Sequence, residues 1–340
     1  MDFVNKQTQQ LQDRIGEYLV PYLDQFIFDQ LSDSYLEKAG IADILTGVPV
    51  PIKKTAMTGL STLVIAQNMA FIIGCDINFK YRDNYVAYII RTFTQDFAKP
   101  LINEGVEAAS KKDFDYACIC FRAALLIDTK SADALYCYGR ACKDSYENGQ
   151  GEEYIGRYKA ESLEAFEKLT LTSPDFDMGF YFLGYAYLNM GLYVKAKLTW
   201  ETFMKLSKNQ DQKDEVKGWL EKLVEPVKIE EGYNHVLAGR FAEGIELLSA
   251  YEKDERFNTW WPLWYYLGVA SEELGNTDKA EQYYLQVLKL SPSNLEVMEK
   301  LAEQYEAAGD MERAQKYRAK MEVVKHNIEL DKAEKQKGMS

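Results

Sequence analysis

An all-α fold, an α-solenoid of six helix pairs behind an N-terminal helical region, is what this sequence predicts, and three observations carry the prediction. From about residue 98 onward, apolar residues recur at three- and four-residue spacing, the period of one face of a helix. Small residues fall at matching places in paired stretches, a Gly in one and an Ala in the next, as at Gly268 and Ala280, and the pattern returns after 34 residues. The composition supports a packed core: 47% hydrophobic and 13% aromatic residues with only 8 Pro in 340 exclude a disordered chain.

Charge and cysteine usage narrow the function classes. With 40 basic against 53 acidic residues the net charge is −13, the wrong sign for a protein that tracks phosphate backbones, so nucleic acid is not the expected partner. The 5 Cys are irregularly spaced, no CxxC pair occurs, and the only His are His235 and His326. No metal site or cofactor is therefore expected, and Cys118-x-Cys120 reads as small buried apolar residues in a reducing compartment. The first twenty residues carry Asp2, Asp13 and Glu17 and lack an uninterrupted apolar core, which predicts no signal peptide and a cytoplasmic location, with a peripheral membrane protein as the alternative. Thr55–Cys75 is uncharged over 21 residues, long enough to cross ~30 Å of hydrocarbon. Gln67 and Asn68 at its centre favour a helix buried in protein over one inserted in lipid.

The elements follow in order. In residues 1–97, Leu11, Ile15, Leu19, Tyr22 and Phe26 make a helical stripe interrupted by Pro21, which predicts one long kinked helix. The text VPVPIKK after Gly47 reads as extended, since a residue before Pro is pushed out of helical geometry. Helices are predicted at about 53–74 and 81–97. The region is expected to cap the first pair, with dimerisation or membrane docking as its other readings.

Six pairs are predicted at 98–131, 132–176, 177–210, 225–258, 261–294 and 295–328. The first has Gly105, Ala117 and Phe121, with KKDFDYA where a Gly turn is usual. The second has Gly139 and Phe166 around KDSYENGQGEEYIG, which reads as a long polar loop. The third has Gly184, Gly191, Ala196 and Trp200. An inserted helix at 211–224 carries Val216, Trp219, Leu220 and Leu223 on one face. The fourth pair has Gly232, Gly239 and Gly244, the last expected to loosen its helix by up to ~1 kcal/mol. The fifth has Trp264, Gly268, Gly275, Ala280, Tyr284 and Pro292, and the sixth Leu301, Ala302, Gly309 and Ala314. Residues 329–340 are charged and are expected to extend the last helix as a polar cap.

The segment WYYLGVASEELGNTDKAEQYYLQVLKLSPSN, Trp264–Asn294, resembles the tetratricopeptide repeat, and the resemblance extends over 98–328, closely at 177–210 and 295–328 and more weakly in the other copies. It implies a superhelix whose concave wall, built by the first helix of each pair, takes a peptide or helix of a partner protein. The slots it implies are Tyr136, Arg140 and Lys143, then Tyr181, Tyr185 and Asn189, then Tyr233, Tyr265, Glu272, Glu299 and Glu303. The middle of this series is Tyr-rich and its far end acidic, which favours a basic segment in the partner. The clamp by which chaperone-binding members hold a terminal carboxylate is missing, because Ile102, Val106, Arg140, Tyr181 and Tyr185 stand in its places. No phosphate loop, dinucleotide fingerprint, nucleophile elbow or HExxH pair occurs, so the chain reads as a non-catalytic scaffold or adaptor rather than an enzyme. The alternative reading is a membrane-peripheral assembly factor or chaperone that uses helix 55–75, and a third is an enzyme with a fused repeat scaffold.

Overall fold

A computed structural model of the chain describes residues 10–55 and 61–337. Among them are 18 α-helices, three short 3-10 turns and one two-stranded sheet, so the all-α expectation holds apart from a single β-ladder. The described residues pack as two compact units. One runs to Gly191 and includes Leu198–Val216; the other comprises Leu192–Lys197 and the chain from Lys217 onward.

The first unit opens with α1 (Gly16–Leu19), a 3-10 turn (Val20–Gln25), β1 (Phe26–Asp29), α2 (Asp33–Ala39), α3 (Ala42–Leu45), β2 (Val50–Lys53), α4 (Thr62–Cys75), α5 (Arg82–Phe93) and a second 3-10 turn (Gln95–Phe97). The strands are antiparallel, with Phe26 opposite Lys53 and Asp29 opposite Val50. The long kinked helix expected over residues 11–26 is thus reduced to one helical turn. Pro21 has no N–H to give and fixes its own φ, which stops the helix there. Upstream, the Leu11 N–H donates to Asn78 Oδ1 at 2.7 Å and Asn78 Nδ2 donates to the Leu11 carbonyl at 2.9 Å, so a side chain 67 residues away takes the bonds a helix would have used. Ile15 and Leu19 are still fully buried, against Cys75, Ala117, Cys118 and Ile119.

The helix expected from about residue 53 begins at Thr62, because β2 takes 50–53; Ser61 Oγ caps it by accepting from the Val64 N–H at 3.2 Å. Residues 56–60 of the uncharged stretch lie outside the described residues. Ile65, Ala66, Met69, Ala70, Ile72 and Ile73 are buried, and Asn68 Nδ2 donates to the Pro51 carbonyl at 3.0 Å, so the polar residue is satisfied inside protein. A Cβ at Gly74 would lie 2.2 Å from the Ile119 carbonyl oxygen, so the backbones meet at a distance only Gly permits. No helix among the described residues is long and apolar enough to cross a membrane.

The pairs follow as α6 (Ala98–Ser110) with α7 (Phe114–Ile127), α8 (Ala132–Asn148) with α9 (Glu152–Thr172), and α10 (Asp177–Asn189) with α11 (Tyr193–Leu206), whose residues up to Lys197 belong to the second unit and the rest to the first. The inserted helix is α12 (Gln210–Lys222), assigned to the first unit up to Val216 and to the second from Lys217. The second unit holds α13 (Val224–Leu237) with α14 (Phe241–Leu248) and a 3-10 turn (Ser249–Tyr251), α15 (Trp261–Glu273) with α16 (Thr277–Leu290), and α17 (Leu295–Ala307) with α18 (Met311–Lys337).

One contact recurs in these pairs: a Gly of the first helix lies under a large side chain of the second. An added Cβ would come 2.1 Å from Trp200 Nε1 at Gly184 and 2.5 Å from Tyr284 Cε1 at Gly268, and Gly105 meets Phe121, Gly139 meets Phe166 and Gly232 meets Leu248 in the same way. Gly244 does more than loosen α14. Its Cβ would stand 2.5 Å from Val236 Cγ2 and 3.2 Å from the Gly232 carbonyl, so the two helices of that pair cross at facing glycines. In the first pair, where the turn lacks Gly, Lys112 itself takes the left-handed conformation at φ +63°.

The long polar loop expected in the second pair is absent. The extra residues lengthen the helices to 17 and 21 residues, leaving only Gly149–Gly151 between them. Tyrosines reward this extension: Tyr154 within the polar text and Tyr158 just beyond it have ring centres 4.4 Å apart, and Tyr18 from the N-terminal segment packs on both at 5.0 and 5.9 Å.

Candidate protein-binding grooves

In the first unit, α6 and α8 present their exposed sides to a groove of 250 Å³ lined by Val106, Ser110, Tyr136, Cys137, Arg140 and Asp144, with Phe121 in its floor. Helical spacing explains the set, since 136, 140 and 144 are one turn apart on α8. Val106 is 48% exposed, an open apolar surface beside a cation. The Arg140 guanidinium lies 5.6 Å from the Tyr136 ring centre and 5.5 Å from that of Phe182, so it stacks between two helices. It makes no ion pair among the described residues. Lys143 is differently placed, because its Nζ is 2.6 Å from Glu147 Oε2 and its charge is already answered. Burial pushes the Asp144 carboxyl above the usual range, against the pull of Lys143 and Arg140.

From Tyr136 an aromatic run continues through Phe182, Tyr181 and Tyr185 to Trp200, with ring centres 4.9–5.8 Å apart. The hydroxyls of Tyr181 and Tyr185 donate to the two oxygens of Glu215 on α12, at 2.9 and 2.5 Å. Burial, and then these bonds, raise both phenols above their ordinary pKa. These tyrosines therefore offer ring edges rather than free hydroxyls. Asn189 is exposed at the end of α10.

The remaining expected residues lie in the second unit. Tyr233 packs inward: its ring stacks on Tyr266 at 4.5 Å and meets Trp260 at 6.3 Å, and its hydroxyl is buried without a hydrogen-bond partner among the described residues. Tyr265 donates its hydroxyl to Glu296. Glu272 accepts from Tyr284 at 2.7 Å and pairs with Lys300 at 2.8 Å, which makes it a tie between neighbouring pairs. Glu299 and Glu303 are exposed and line a groove of 630 Å³ between α17 and α18. Two side chains that shape these surfaces escaped sequence reasoning. Phe182 falls between the expected slots, and Glu215 sits on an inserted helix whose apolar spacing says nothing about its acceptor role.

Among the described residues no group of three or more His, Cys, Asp or Glu is placed to hold a metal ion. Burial pushes the Cys75 thiol up to about 12 and the Cys137 thiol up to about 11, so both stay protonated at neutral pH. At 250 Å³ the α6/α8 groove lies below the ~300–1,000 Å³ typical of small-molecule sites and suits side chains of a polypeptide.

These features define an all-α protein of consecutive helix pairs with grooves on its first helices. Residues 261–294 match the model of the tetratricopeptide repeat family. The comparison with curated proteins found no match. Among solved structures the chain is similar to the P58(IPK) TPR domain, at 12% identity over 87% of this chain and 85% of that one, with a TM-score of 0.45. It is also similar to YrrB, described as a TPR protein with an unusual peptide-binding site, at 17% identity over 63% and 95% with a TM-score of 0.32. A tetratricopeptide repeat protein from Parabacteroides merdae aligns at 14% identity over 80% and 96%, with a TM-score of 0.34.

Proposed function

We propose that this chain is a non-catalytic scaffold that binds segments of other proteins, and that the α6/α8 groove receives a segment with an apolar side chain next to a carboxylate. One observation carries the reading: Arg140 is held on two aromatic rings, at the mouth of an apolar groove, with no ion pair among the described residues. A carboxylate arriving there would form a charge-assisted bond to a cation already positioned, at little cost in side-chain entropy. Tyr136 adds rigid contact area. In this reading residues 98–328 are the binding array, residues 1–97 cap it, and Tyr181, Tyr185 and Asn189 extend the contact surface. The five free thiols suit the cytoplasm.

The test is selection of a displayed random-peptide library on the full chain. Selected peptides are expected to pair an apolar with an acidic residue, and to lose at least about tenfold in affinity against Arg140→Glu, in line with ~1.5–3 kcal/mol for a hydrogen bond to a charged group. Peptides that bind Arg140→Glu and Tyr136→Ala as tightly as the unaltered chain would refute the site.

A further inference from the structure

The open groove between α17 and α18 has a filled counterpart one repeat earlier. It is lined by Glu299, Ala302, Glu303, Arg318, Ala319 and Met321. Thirty-four positions before these stand Tyr265, Gly268, Val269, Tyr284, Leu285 and Val287. Apart from Gly268, all of them pack in the cluster that receives α17 through Val297 and Leu301, both fully buried. Polar bonds fix the rim of α17 there: Tyr265 donates to Glu296, Lys300 pairs with Glu272 at 2.8 Å, and Gln304 Nε2 donates to the Thr277 carbonyl at 3.0 Å.

Between the filled slot and the open one the shape is kept in outline and the charge is changed. Ala302 stands where Gly268 stood, and Ala319 and Met321 replace Leu285 and Val287 as apolar bed. Tyr265, which met the acidic Glu296, is answered by Glu299, and Val269 by Glu303. Neither Glu299 nor Glu303 has an ion pair among the described residues. The cations of the groove are already engaged, Arg318 with Glu306 and Lys325 with Glu322 at 3.1 Å.

We infer that this slot docks an amphipathic helix of a partner protein, in the register that α17 takes on the pair before it, with basic residues where α17 carries Glu296. The inference rests on the reading of the chain as a protein-binding scaffold and names the partner chemistry of its acidic end. Apolar residues four apart would lie on Ala302, Ala319 and Met321, as Val297 and Leu301 lie on the fifth pair. A Lys or Arg would face Glu299 and Glu303 at the rim. A second copy of the chain is the less suited occupant, since each copy carries −13.

The probe is a fluorescent peptide of residues 294–308 with Glu296→Lys, stapled on its solvent face because so short a helix is marginal alone. Its control is the same peptide with Glu296 kept. Anisotropy with the full chain should show the lysine peptide binding roughly three- to tenfold tighter at low salt, a preference that shrinks at high salt and disappears on Glu299→Gln/Glu303→Gln. Equal binding of the two peptides, binding of neither, or a preference that survives Glu299→Gln/Glu303→Gln overturns the inference. So does a dimer in sedimentation that Ala302→Arg dissociates, which would assign the slot to a second copy. Failure here while library-selected peptides still require Arg140 removes the slot and leaves the proposed function standing; failure of both removes both.

Discussion

Replacing Asp13 by Ala should destabilise the first unit far more than its place near the start of the described chain suggests. Asp13 Oδ2 lies 2.6 Å from Arg122 Nη2, with the two side chains 14% and 4% exposed, and Arg122 Nη1 is buried without a hydrogen-bond partner among the described residues. Asp13→Ala would leave a guanidinium in the interior without its hydrogen-bonded counter-charge, with Glu161 acting on it only through space, a change that costs up to ~3–5 kcal/mol. Its neighbour sets the comparison. Arg14 pairs with Glu161 and Glu164 at side-chain exposures of 25%, 14% and 61%, so Arg14→Ala should cost about 1 kcal/mol or less. Urea unfolding of the full chain followed by circular dichroism reads both. A third variant, Asp13→Leu/Arg122→Met, should recover most of the loss, because it removes the buried charge along with its partner. If Asp13→Ala falls within about 0.5 kcal/mol of Arg14→Ala, the docking of residues 10–25 onto α7 is not what neutralises Arg122, and the capping role given to the N-terminal region loses its physical basis.

Two further outcomes are expected. Lys112→Gly should stabilise the chain by about 0.5–1 kcal/mol in the same assay, since Gly removes the strain of φ +63° and gives back part of the gain as unfolded-state entropy. Asp115 has its carboxyl pushed above the usual range, first by burial, while the Tyr22 and Tyr158 hydroxyls donate to it. A raised carboxyl binds a proton in the folded state that the unfolded chain has released, so its contribution is present at low pH and is lost as pH rises through the raised value. Paired thermal melts from about pH 4 to about pH 7 should therefore show the cost of Asp115→Asn shrinking as pH rises, and a cost that grows with pH would contradict the assigned shift.

The helix pairs were legible because their signals are local and repeated. A Gly in one helix and a large residue sixteen positions on, as at Gly268 and Tyr284, report a close crossing that recurs with the repeat, and Gly275 and Gly309, at φ +79° and +78°, report turns that an L side chain enters only under strain. What stayed illegible involves partners distant in sequence. Leu11 reads as the start of a helical stripe until Asn78 takes its backbone groups. KDSYENGQGEEYIG reads as loop until Tyr18 is found packed on Tyr154 and Tyr158. Among the groove residues, Tyr136 and Arg140 were visible as neighbours one turn apart on α8, whereas the Phe182 ring that completes the stack came from a different pair.

The order of polar and apolar residues along the chain was enough to determine that it forms helices and where most of them turn. Only the tertiary structure decided which polar groups remain free to meet a partner. Tyr181, Tyr185, Tyr265 and Glu272 are bonded within the chain, and Tyr233 is packed inward, while Arg140, Glu299 and Glu303 have no ion pair among the described residues. The physical reason is range. A helix is closed by bonds between residues four apart and so is written in neighbouring letters, but whether a hydroxyl or a charge is already satisfied depends on which distant helix comes to lie against it.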